Sequence, residues 1–310
     1  MFVAVFMAAI MIALFISFGT NLKLFGGGEG AITKTSLQSD IYTTGHALDA
    51  ARIYMETSLD YSVYQACYDN LRKAGLSEIT VSVDSYNELS GLTIDGLYNQ
   101  LGTTIQTYLN RYSNENYAFM TNYRVTLPTS VVSITPAAAG FTVATTPTGM
   151  MTATNVVQSG ESVTLRADAS ISRDYDIPFL SLINKASEMN PSLESDLQGA
   201  FTQALQAITI DTCTEDASCT RIVEDELTKS PKVNFPSPLN NQGFEITSEL
   251  LEAEVNIDFI DRNAKVMTYK ATAVQKVTIT KEGTPLYPVW DGSRVTFDNM
   301  KLVYLNRVTS

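Results

Sequence analysis

The sequence predicts an α+β protein in which an apolar N-terminal helix precedes long amphipathic helices and antiparallel β-meanders. Three patterns predict this class. Residues 2–18 are apolar apart from one serine. Between residues 37 and 112, aliphatic side chains recur at spacings of three, four and seven, as on one face of a helix. From residue 117 onward, β-branched runs alternate with turns rich in proline and glycine.

Composition restricts the functions that are expected. The chain has 310 residues, enough for one large or two ordinary domains, and 45% of them are hydrophobic, which excludes a wholly disordered chain. Its net charge of -12 would repel a phosphate backbone, so no nucleic-acid partner is expected. Only 17% of the residues are charged, against about 25% in an average soluble domain. This composition is typical of an exported surface.

Residues 1–25 are predicted to form one apolar helix that is long enough to cross a bilayer, since about 20 apolar residues suffice and the first charge is Lys23. A helix buried in a protein core is the alternative. It is disfavoured because an end of the chain offers little protein to cover a helix that is apolar on every side. A cleaved secretory signal is also disfavoured, because no basic residue precedes the run and no Ala-x-Ala site follows it.

Cleavage ahead of the apolar region would explain an apolar helix that stands bare at the start of a chain. In this respect the first 20 residues or so resemble mature type IV pilins, especially the subunits of archaeal surface filaments. The sequence has Val5 where many pilins carry glutamate, although archaeal members often lack that glutamate. If Met1 is instead the initiator, the segment is an ordinary signal anchor.

The resemblance implies that this helix forms the core of a filament. Copies of the same chain would be its partners, and membrane lipid would surround it before or instead of assembly. The residues that represent this membrane or filament-core helix are Phe2, Ala4, Ala8, Ala9, Ala13, Phe15 and Phe18. Ala4 with Ala8, and Ala9 with Ala13, form small-xxx-small pairs, which allow two helices to approach closely.

Four glycines follow the apolar helix, at Gly26, Gly27, Gly28 and Gly30. Each glycine costs about 1 kcal/mol in a helix interior. We therefore expect a glycine-rich linker over residues 26–36 that acts as a hinge. The apolar helix and the head that follows it would then be separable units.

Two helix-plus-meander units are predicted in the head, over residues 37–176 and 177–310. In the first unit, apolar periodicity predicts helices over Leu37–Ala74 and Ile94–Tyr112. Four β-branched runs between residues 117 and 172 then predict an antiparallel meander.

The second unit is predicted to begin with helical structure over Asp176–Ile210, split in two at Pro191. Three long strands follow, with a turn at residues 261–263 between the first two, and their ranges are Phe244–Phe259, Lys265–Thr280 and Arg294–Val308. Because helices and meander recur in the same order, a duplicated α+β unit is an alternative. The segments 174–179 and 285–290 are its only sequence match, and a weak one.

Tyrosines are concentrated on the two helices of the first unit. Their positions are Tyr42, Tyr54, Tyr61, Tyr64, Tyr68, Tyr108 and Tyr112. A tyrosine can bury its ring while its hydroxyl reaches water, so these residues are expected to flank the helices against a sheet. An aromatic interface with another subunit is the alternative.

The cysteines predict one disulfide. Cys213 and Cys219 lie in a short polar segment whose C-x5-C spacing does not fit a zinc site, and no histidine cluster completes one. A loop-closing disulfide outside the cytoplasm fits this spacing. Cys67 lies on the first helix and is expected to be buried and free, with a link to a neighbouring subunit as the alternative.

No catalytic motif stands out. His46 is the only histidine, on a helix without a nucleophile motif nearby, and the glycines at 26–30 lack the Lys-Ser/Thr ending of a phosphate loop. Neighbouring carboxylates could supply a glycosidase pair or calcium ligands, at 174 and 176, 215 and 216, 224–226, and 258 and 261, with Asp211 joining Glu215 and Asp216. In so acidic a chain, a solvated surface explains them better. We therefore expect no cofactor, no metal and no enzymatic activity.

The sequence thus predicts a non-enzymatic, envelope-anchored extracellular structural protein at the cell surface, with a pilin-like filament subunit as the leading form. A monomeric membrane-anchored binding or adhesion module is the alternative, and a pocket lined by tyrosines would favour it. A surface carbohydrase that uses paired carboxylates is the third hypothesis.

Overall fold

The computed structural model describes residues 29–72, 78–81, 84–87, 89, 94–114, 123–137, 140–155, 162–261, 263 and 265–310. The predicted apolar helix, with Phe2, Ala4, Ala8, Ala9, Ala13, Phe15 and Phe18, lies outside the described residues, as do Gly26, Gly27 and Gly28. Among the residues that are described, no helix combines the length and the apolar composition that a membrane crossing needs.

The described part of the chain contains four α-helices: α1 (Glu29–Arg72), α2 (Ile94–Asn114), α3 (Phe179–Leu205) and α4 (Asp216–Lys229). Both helices predicted for the first unit are present. However, α1 begins at Glu29 rather than at Leu37, so Gly30 and residues 31–36 are helical and not part of a linker. The cost of one glycine, about 1 kcal/mol, is small for a 44-residue helix that is already nucleated along its length.

Fourteen β-strands complete the described structure. They are β1 (Glu78–Val81), β2 (Asp84–Asn87), β3 (Tyr123–Thr126), β4 (Ser130–Pro136), β5 (Phe141–Pro147), β6 (Met151–Asn155), β7 (Thr164–Ala167), β8 (Ser172–Tyr175), β9 (Leu239–Asn241), β10 (Phe244–Asp261), β11 (Val266–Lys281), β12 (Tyr287–Trp290), β13 (Val295–Asp298) and β14 (Lys301–Thr309). The protein is therefore a mixed α+β structure, as predicted, and its strand pairings are antiparallel except for that of β14 with β2.

Strands β3 to β8 do not form the single meander that was predicted. They form two three-stranded sheets, with the orders β3-β6-β7 and β4-β5-β8. The prediction omitted β6, because Met151–Asn155 contains threonine but no valine or isoleucine. Its alternation is nevertheless clear in the structure, where Met151, Ala153 and Asn155 are buried and the two threonines between them are half-buried.

The largest sheet has six strands in the order β1-β2-β14-β11-β10-β9. Its centre is the long β10–β11 hairpin, whose last pair is Asp261 with Val266, as the predicted turn requires. The third predicted strand is wrong, because residues 294–308 divide into β13, which pairs only with β12, and β14, which joins the large sheet. The break falls where Met300 enters the core and is completely buried.

This sheet takes strands from both predicted units, since β1 and β2 precede residue 176 while the other four strands follow it. Its strand order also differs from that of the two small sheets. The described residues therefore contain no counterpart of a duplicated α+β unit.

Helix α3 is continuous, so the split predicted at Pro191 is wrong. A proline inside a helix costs about 3 kcal/mol because it removes a hydrogen bond and crowds the preceding turn. Buried residues anchor α3 on both sides of the proline, with Leu182 and Ile183 before it and Leu197 and Phe201 after it. Packing therefore holds the two halves in one helix.

Helix α4 was not predicted, although its sequence carries two helix signals. Glu215 and Ser218 form a capping box at its start. Cys219, Val223 and Leu227 then follow at intervals of four and are all completely buried. The acidic surface of the remaining positions obscured this narrow apolar stripe.

Side chains of two helices accept hydrogen bonds from the backbone amides of two edge strands. On α2, the Asn110 side-chain oxygen accepts a hydrogen bond from the Ser130 amide of β4 at 2.8 Å, and Gln106 accepts one from Val132 at 3.1 Å. On α4, the Asp216 carboxylate accepts one from the Ile257 amide of β10 at 2.8 Å. These contacts satisfy backbone donors that would otherwise remain open to pairing with another chain.

Two buried clusters form most of the core. The larger one joins α1, α2 and the first half of α3 to β5, to β14, to the start of β10 and to the end of β11. Its largest fully buried side chains include Met55, Phe141, Phe179 and Tyr304. The second joins the end of α3 to α4, to the later part of β10 and to the first part of β11, around Leu197, Phe201 and Val255.

We expect Gly140→Ala to destabilise the protein. Gly140 closes the β4–β5 hairpin, and a Cβ there would overlap the backbone carbonyl oxygen of Tyr175 in β8. Forcing these backbones apart should lower the free energy of unfolding by about 1–3 kcal/mol. The control is Gly199→Ala on the exposed face of α3, where a Cβ meets no atom within 4 Å. It should raise stability by about 0.5–1 kcal/mol. Chemical denaturation would measure both, and equal effects would contradict the expectation.

Candidate interaction surfaces

Helix α1 is the element around which the head is built. One side of it is completely buried along most of its length, at Ala47, Ala51, Leu59, Val63 and Ala66. The β3-β6-β7 sheet packs on its first half, and α2, β12 and β14 also pack against it. Ile41, Tyr42 and Ile53 are exposed on the same helix, with exposed fractions of 45%, 60% and 49%.

Polar contacts tie α1 to the β4-β5-β8 sheet. The Tyr175 hydroxyl of β8 donates to the Asp60 carboxylate at 2.8 Å, and Arg173 forms an ion pair with the same carboxylate. The Tyr64 ring lies 6.2 Å from that of Tyr175 and 5.2 Å from that of Tyr287. Burial, followed by the hydrogen bond to Asp60, raises the pKa of Tyr175 far above its ordinary value. This hydroxyl therefore stays protonated and serves as a fixed donor.

The β12–β13 hairpin is attached to the C-terminal half of α1. Gln65 bonds both backbone groups of Trp290, accepting from its amide at 2.6 Å and donating to its carbonyl at 3.1 Å. Arg72 pairs with Asp298 at 2.7 Å at the other end of the hairpin. The Tyr287 hydroxyl donates to the Asp176 carbonyl at 3.0 Å. These contacts fix which face of the hairpin meets the helix.

The opposite face of this hairpin is an exposed apolar surface, which we call the hairpin patch. It consists of the exposed Trp290, Val295 and Phe297 with the half-buried Pro288, and the exposed Leu286 directly precedes β12. Trp290 pairs with Val295 and Pro288 with Phe297 across the strands, so these four side chains share one face. Phe297 is 65% exposed and Trp290, the only tryptophan of the chain, is 50% exposed. A contiguous apolar surface with two aromatic rings is typical of an interaction site.

A second exposed apolar surface lies at the end of the β10–β11 hairpin. Phe259 is 54% exposed and Val266 is 47% exposed. Asp261 pairs with Val266 and lies two residues after Phe259, so Phe259 and Val266 share a face with the Asp261 carboxylate. We call these two residues the tip patch.

The helical tyrosines do not form one surface. Tyr108 and Tyr64 pack against the main core, and Tyr68 is part of it. The Tyr108 hydroxyl donates to Asp69 at 2.5 Å, and that of Tyr54 contacts the Tyr112 carbonyl at 3.4 Å. The contacts of Tyr54 and Tyr108 therefore join α1 to α2, whereas Tyr64 lies against Tyr175 of β8 and Tyr287 of β12, as expected of a helix flank against a sheet. Tyr42 differs, since it is exposed and its ring lies 4.3 Å from that of His46.

The predicted disulfide between Cys213 and Cys219 is present, with the two Cα atoms 5.0 Å apart. Both cysteines are completely buried in the cluster that joins α3, α4 and β10. The bond therefore ties the loop after α3 to the first turns of α4. Cys67 is buried in the main core outside this bond, and burial raises the pKa of its thiol far above the ordinary range.

Several of the candidate carboxylates serve local contacts. Asp174 accepts a hydrogen bond from Thr142 at 2.5 Å, Asp258 pairs with Lys270 at 3.7 Å, and Asp261 accepts one from the Asn263 amide at 2.9 Å. Within the described ranges, no three acidic, cysteine or histidine residues come together as a metal site. The trio Asp211, Glu215 and Asp216 is thus not assembled for calcium.

One buried cation has no signal in the sequence. Lys185 of α3 is only 4% exposed, and its ammonium contacts Glu188 at 3.1 Å, Asn241 at 3.2 Å and Gln242 at 3.3 Å. These acceptors come from α3, from the last residue of β9 and from the turn that follows it, so the lysine holds the β9–β10 turn against the helix. Local periodicity could not reveal Lys185, because two of its partners are more than 50 residues away.

The hairpin patch was also missed, although a signal existed. Val295 and Phe297 alternate with smaller residues in the sequence, but the prediction of one strand over Arg294–Val308 hides the short hairpin to which they belong. A depression of about 270 Å³ on the six-stranded sheet is lined by Glu252, Glu254, Val274 and Arg307 among others. No tyrosine lines it, so it is not the tyrosine-lined pocket that would favour a binding module.

No protein-family model, no curated protein and no solved structure matches this chain. The function must therefore be inferred from the surfaces themselves.

We expect removal of the Cys213–Cys219 bond to lower stability by about 2 kcal/mol, since it closes a short loop in the unfolded chain. Cys213→Ser combined with Cys219→Ser, compared with the wild type in denaturant with and without reductant, would measure this. Cys67→Ala is the control, and it should retain the sensitivity to reductant. Equal unfolding midpoints of the oxidised and reduced wild type would contradict the expectation.

We also expect stability to fall in alkali through Tyr287, which is 7% exposed. Burial and the nearby Asp176 raise its pKa from 10.0 to about 12. Since the unfolded chain loses this proton first, the stabilisation is complete below pH 10.0 and is lost as the pH rises toward about 12. Tyr287→Phe should cost about 1 kcal/mol at neutral pH through the lost hydrogen bond. Its stability should then decline less than that of the wild type across this range, and parallel curves of unfolding free energy against pH would contradict this.

Proposed function

We propose that the chain is a non-enzymatic, envelope-anchored extracellular structural protein, and specifically a subunit of a pilus-like filament. In this proposal the apolar residues 2–18 pack against copies of themselves in the filament core. Membrane lipid surrounds the same segment before assembly. The folded head lies outside the cytoplasm, at the cell surface.

The arrangement of α1 is the observation that supports this proposal most. The helix begins at Glu29, close behind the apolar run, and its C-terminal half forms the centre of the head. Near the start of the helix, Asp40 accepts a hydrogen bond from Asn155 of β6 at 3.1 Å. Ile41 and Tyr42 are exposed at this end. An exposed apolar surface in the N-terminal half of α1, which follows residues 2–18 in the sequence, suits packing against neighbouring subunits.

The disulfide also supports an extracytoplasmic location. Disulfides persist in oxidising compartments and are rare in the cytosol of mesophiles. The low content of charged residues, 17%, fits the same location.

A monomeric membrane-anchored adhesion module is the second candidate, because the hairpin patch could bind a foreign surface as well as a neighbouring subunit. The two candidates differ in self-association. In the adhesion module the patch remains open on a single head, whereas in the filament subunit copies of the chain cover one another.

We expect Ala8→Asp to block assembly of the full chain. An unpaired charge in a helical core costs several kcal/mol, and each 1.4 kcal/mol is a factor of ten in association. Filament mass per cell in electron micrographs should therefore fall by at least about tenfold. The thermal unfolding of the head should not change.

The matched control is Gln38→Asp, which adds the same charge at an exposed position of α1 and should leave filaments intact. Undiminished filaments from Ala8→Asp would refute the helical core. A wild-type protein that stays monomeric in membranes would support the adhesion module instead. Fractionation and mass spectrometry of the mature N-terminus would test the location, and a full chain found in the cytosol would refute the proposal.

A further inference from the structure

A buried lysine contacts an asparagine side chain where α3 meets the β9–β10 turn. The side chain of Lys185 is 3% exposed, whereas the lysines in the other ion pairs between described residues are 29–79% exposed. Its ammonium donates to both carboxylate oxygens of Glu188 at 3.1 Å and to Oδ1 of Asn241 at 3.2 Å. The centroid of the Phe244 ring lies 6.0 Å from Nζ. An amine, an amide and a carboxylate therefore meet around one buried nitrogen atom.

We propose that Lys185 and Asn241 form an intramolecular isopeptide bond, which is a covalent cross-link between their side chains. The Nζ atom of Lys185 attacks the Cγ carbon of Asn241, so that the Nζ–Cγ bond forms and the Cγ–Nδ2 bond breaks. Nδ2 leaves as ammonium and takes up the two protons that Nζ loses. Since no atom is oxidised or reduced, the reaction needs no other reactant.

Glu188 carries the protons in this reaction. Both of its carboxylate oxygens lie 3.1 Å from Nζ, so the carboxylate takes a proton from the ammonium and frees the electron pair that attacks. Its side chain is 61% exposed, which lets the proton exchange with water on its way to the leaving nitrogen. That nitrogen, Nδ2 of Asn241, lies 4.0 Å from the sulfur of Met189, which is only a weak acceptor.

The fold holds the two reacting side chains together. Asn241 pairs with Phe244, so Gln242 and Gly243 form a two-residue hairpin turn, and their φ angles of 55° and 80° suit such a turn. Groups that are held in contact react far faster than free molecules of the same kind. In addition, a buried ammonium has lost its hydration, whereas the product is a neutral amide. The bond therefore removes a buried charge.

Asn241 is the reacting amide rather than Gln242, whose Oε1 lies 3.3 Å from the same Nζ. Asn241 is half-buried at the end of β9, whereas Gln242 is exposed in the turn and is less firmly held. The bond joins residues that are 56 positions apart and closes a loop that contains α4 and the Cys213–Cys219 disulfide. It goes beyond the proposed function, because a single anchored head gains the same cross-link as a filament subunit.

The intact mass of the full chain, measured after reduction of the disulfide, tests the bond. Loss of ammonia should make the wild type lighter than its mature sequence by about 17 Da. Lys185→Arg and Asn241→Ala should each restore the sequence mass. Glu188→Gln should slow the linkage in freshly made protein by at least about a hundredfold, since a general acid–base group contributes that much.

The matched controls are Lys232→Arg and Asn240→Ala. Lys232 pairs with Asp196 and its side chain is 65% exposed, and Asn240 is an exposed neighbour of the reacting residue. Both controls should keep the mass deficit of the wild type. Thermal unfolding should show a lower midpoint for Lys185→Arg than for Lys232→Arg, because only the first loses the cross-link.

Tryptic peptides of the wild type locate the bond without any variant, so the test holds even if Lys185→Arg does not fold. Trypsin does not cut after a lysine whose amine is acylated. Residues 174–221 should therefore stay uncut at Lys185 and be joined to residues 233–262. A wild type at its full sequence mass would overturn the proposal. A deficit in an unbranched peptide, as from a cyclised asparagine, or a branch at Gln242 would overturn it as well.

Discussion

Burial of one side of α1 is the constraint on which the rest of the head depends. Leu59, Val63 and Ala66 have no exposed surface, and their neighbours come from α2, α3 and strands that are distant in the sequence. At about 25 cal/mol per Å² of apolar area, a fully buried aliphatic side chain contributes about 1.5–3 kcal/mol. The helix is therefore the surface that brings otherwise separate sheets into one core.

Polar groups on the same helix determine how those sheets are oriented. Asp60 holds the end of β8, Gln65 holds the backbone of Trp290, and Arg72 holds Asp298. These contacts place the inner side of the β12–β13 hairpin against α1 and leave its aromatic side outward. The same helix therefore determines that the rings of Trp290 and Phe297 are exposed.

Local patterns account for the elements that were predicted well. The spacing of Leu97, Leu101, Ile105 and Leu109 defines α2, and all four are buried. Elements that depend on distant contacts were missed or misplaced. Pro191 breaks a helix only when packing does not hold its two halves, and α3 is held by Ile183 on one side and Leu197 on the other. The candidate surface was missed because exposure of Phe297 depends on which partner strand β13 takes.

The sequence by itself determined the α+β class, the disulfide and the apolar N-terminal run, because each depends on residue type and spacing over a few turns of chain. Only the tertiary structure decided which strands pair, that β2 joins β14, and that the face of the β12–β13 hairpin with Trp290 and Phe297 is exposed. Side-chain alternation indicates that a strand has two different faces, but it does not predict which element covers each face. Contacts with α1, which is distant in the sequence, decide which face is covered, and those contacts form only when the whole core is assembled.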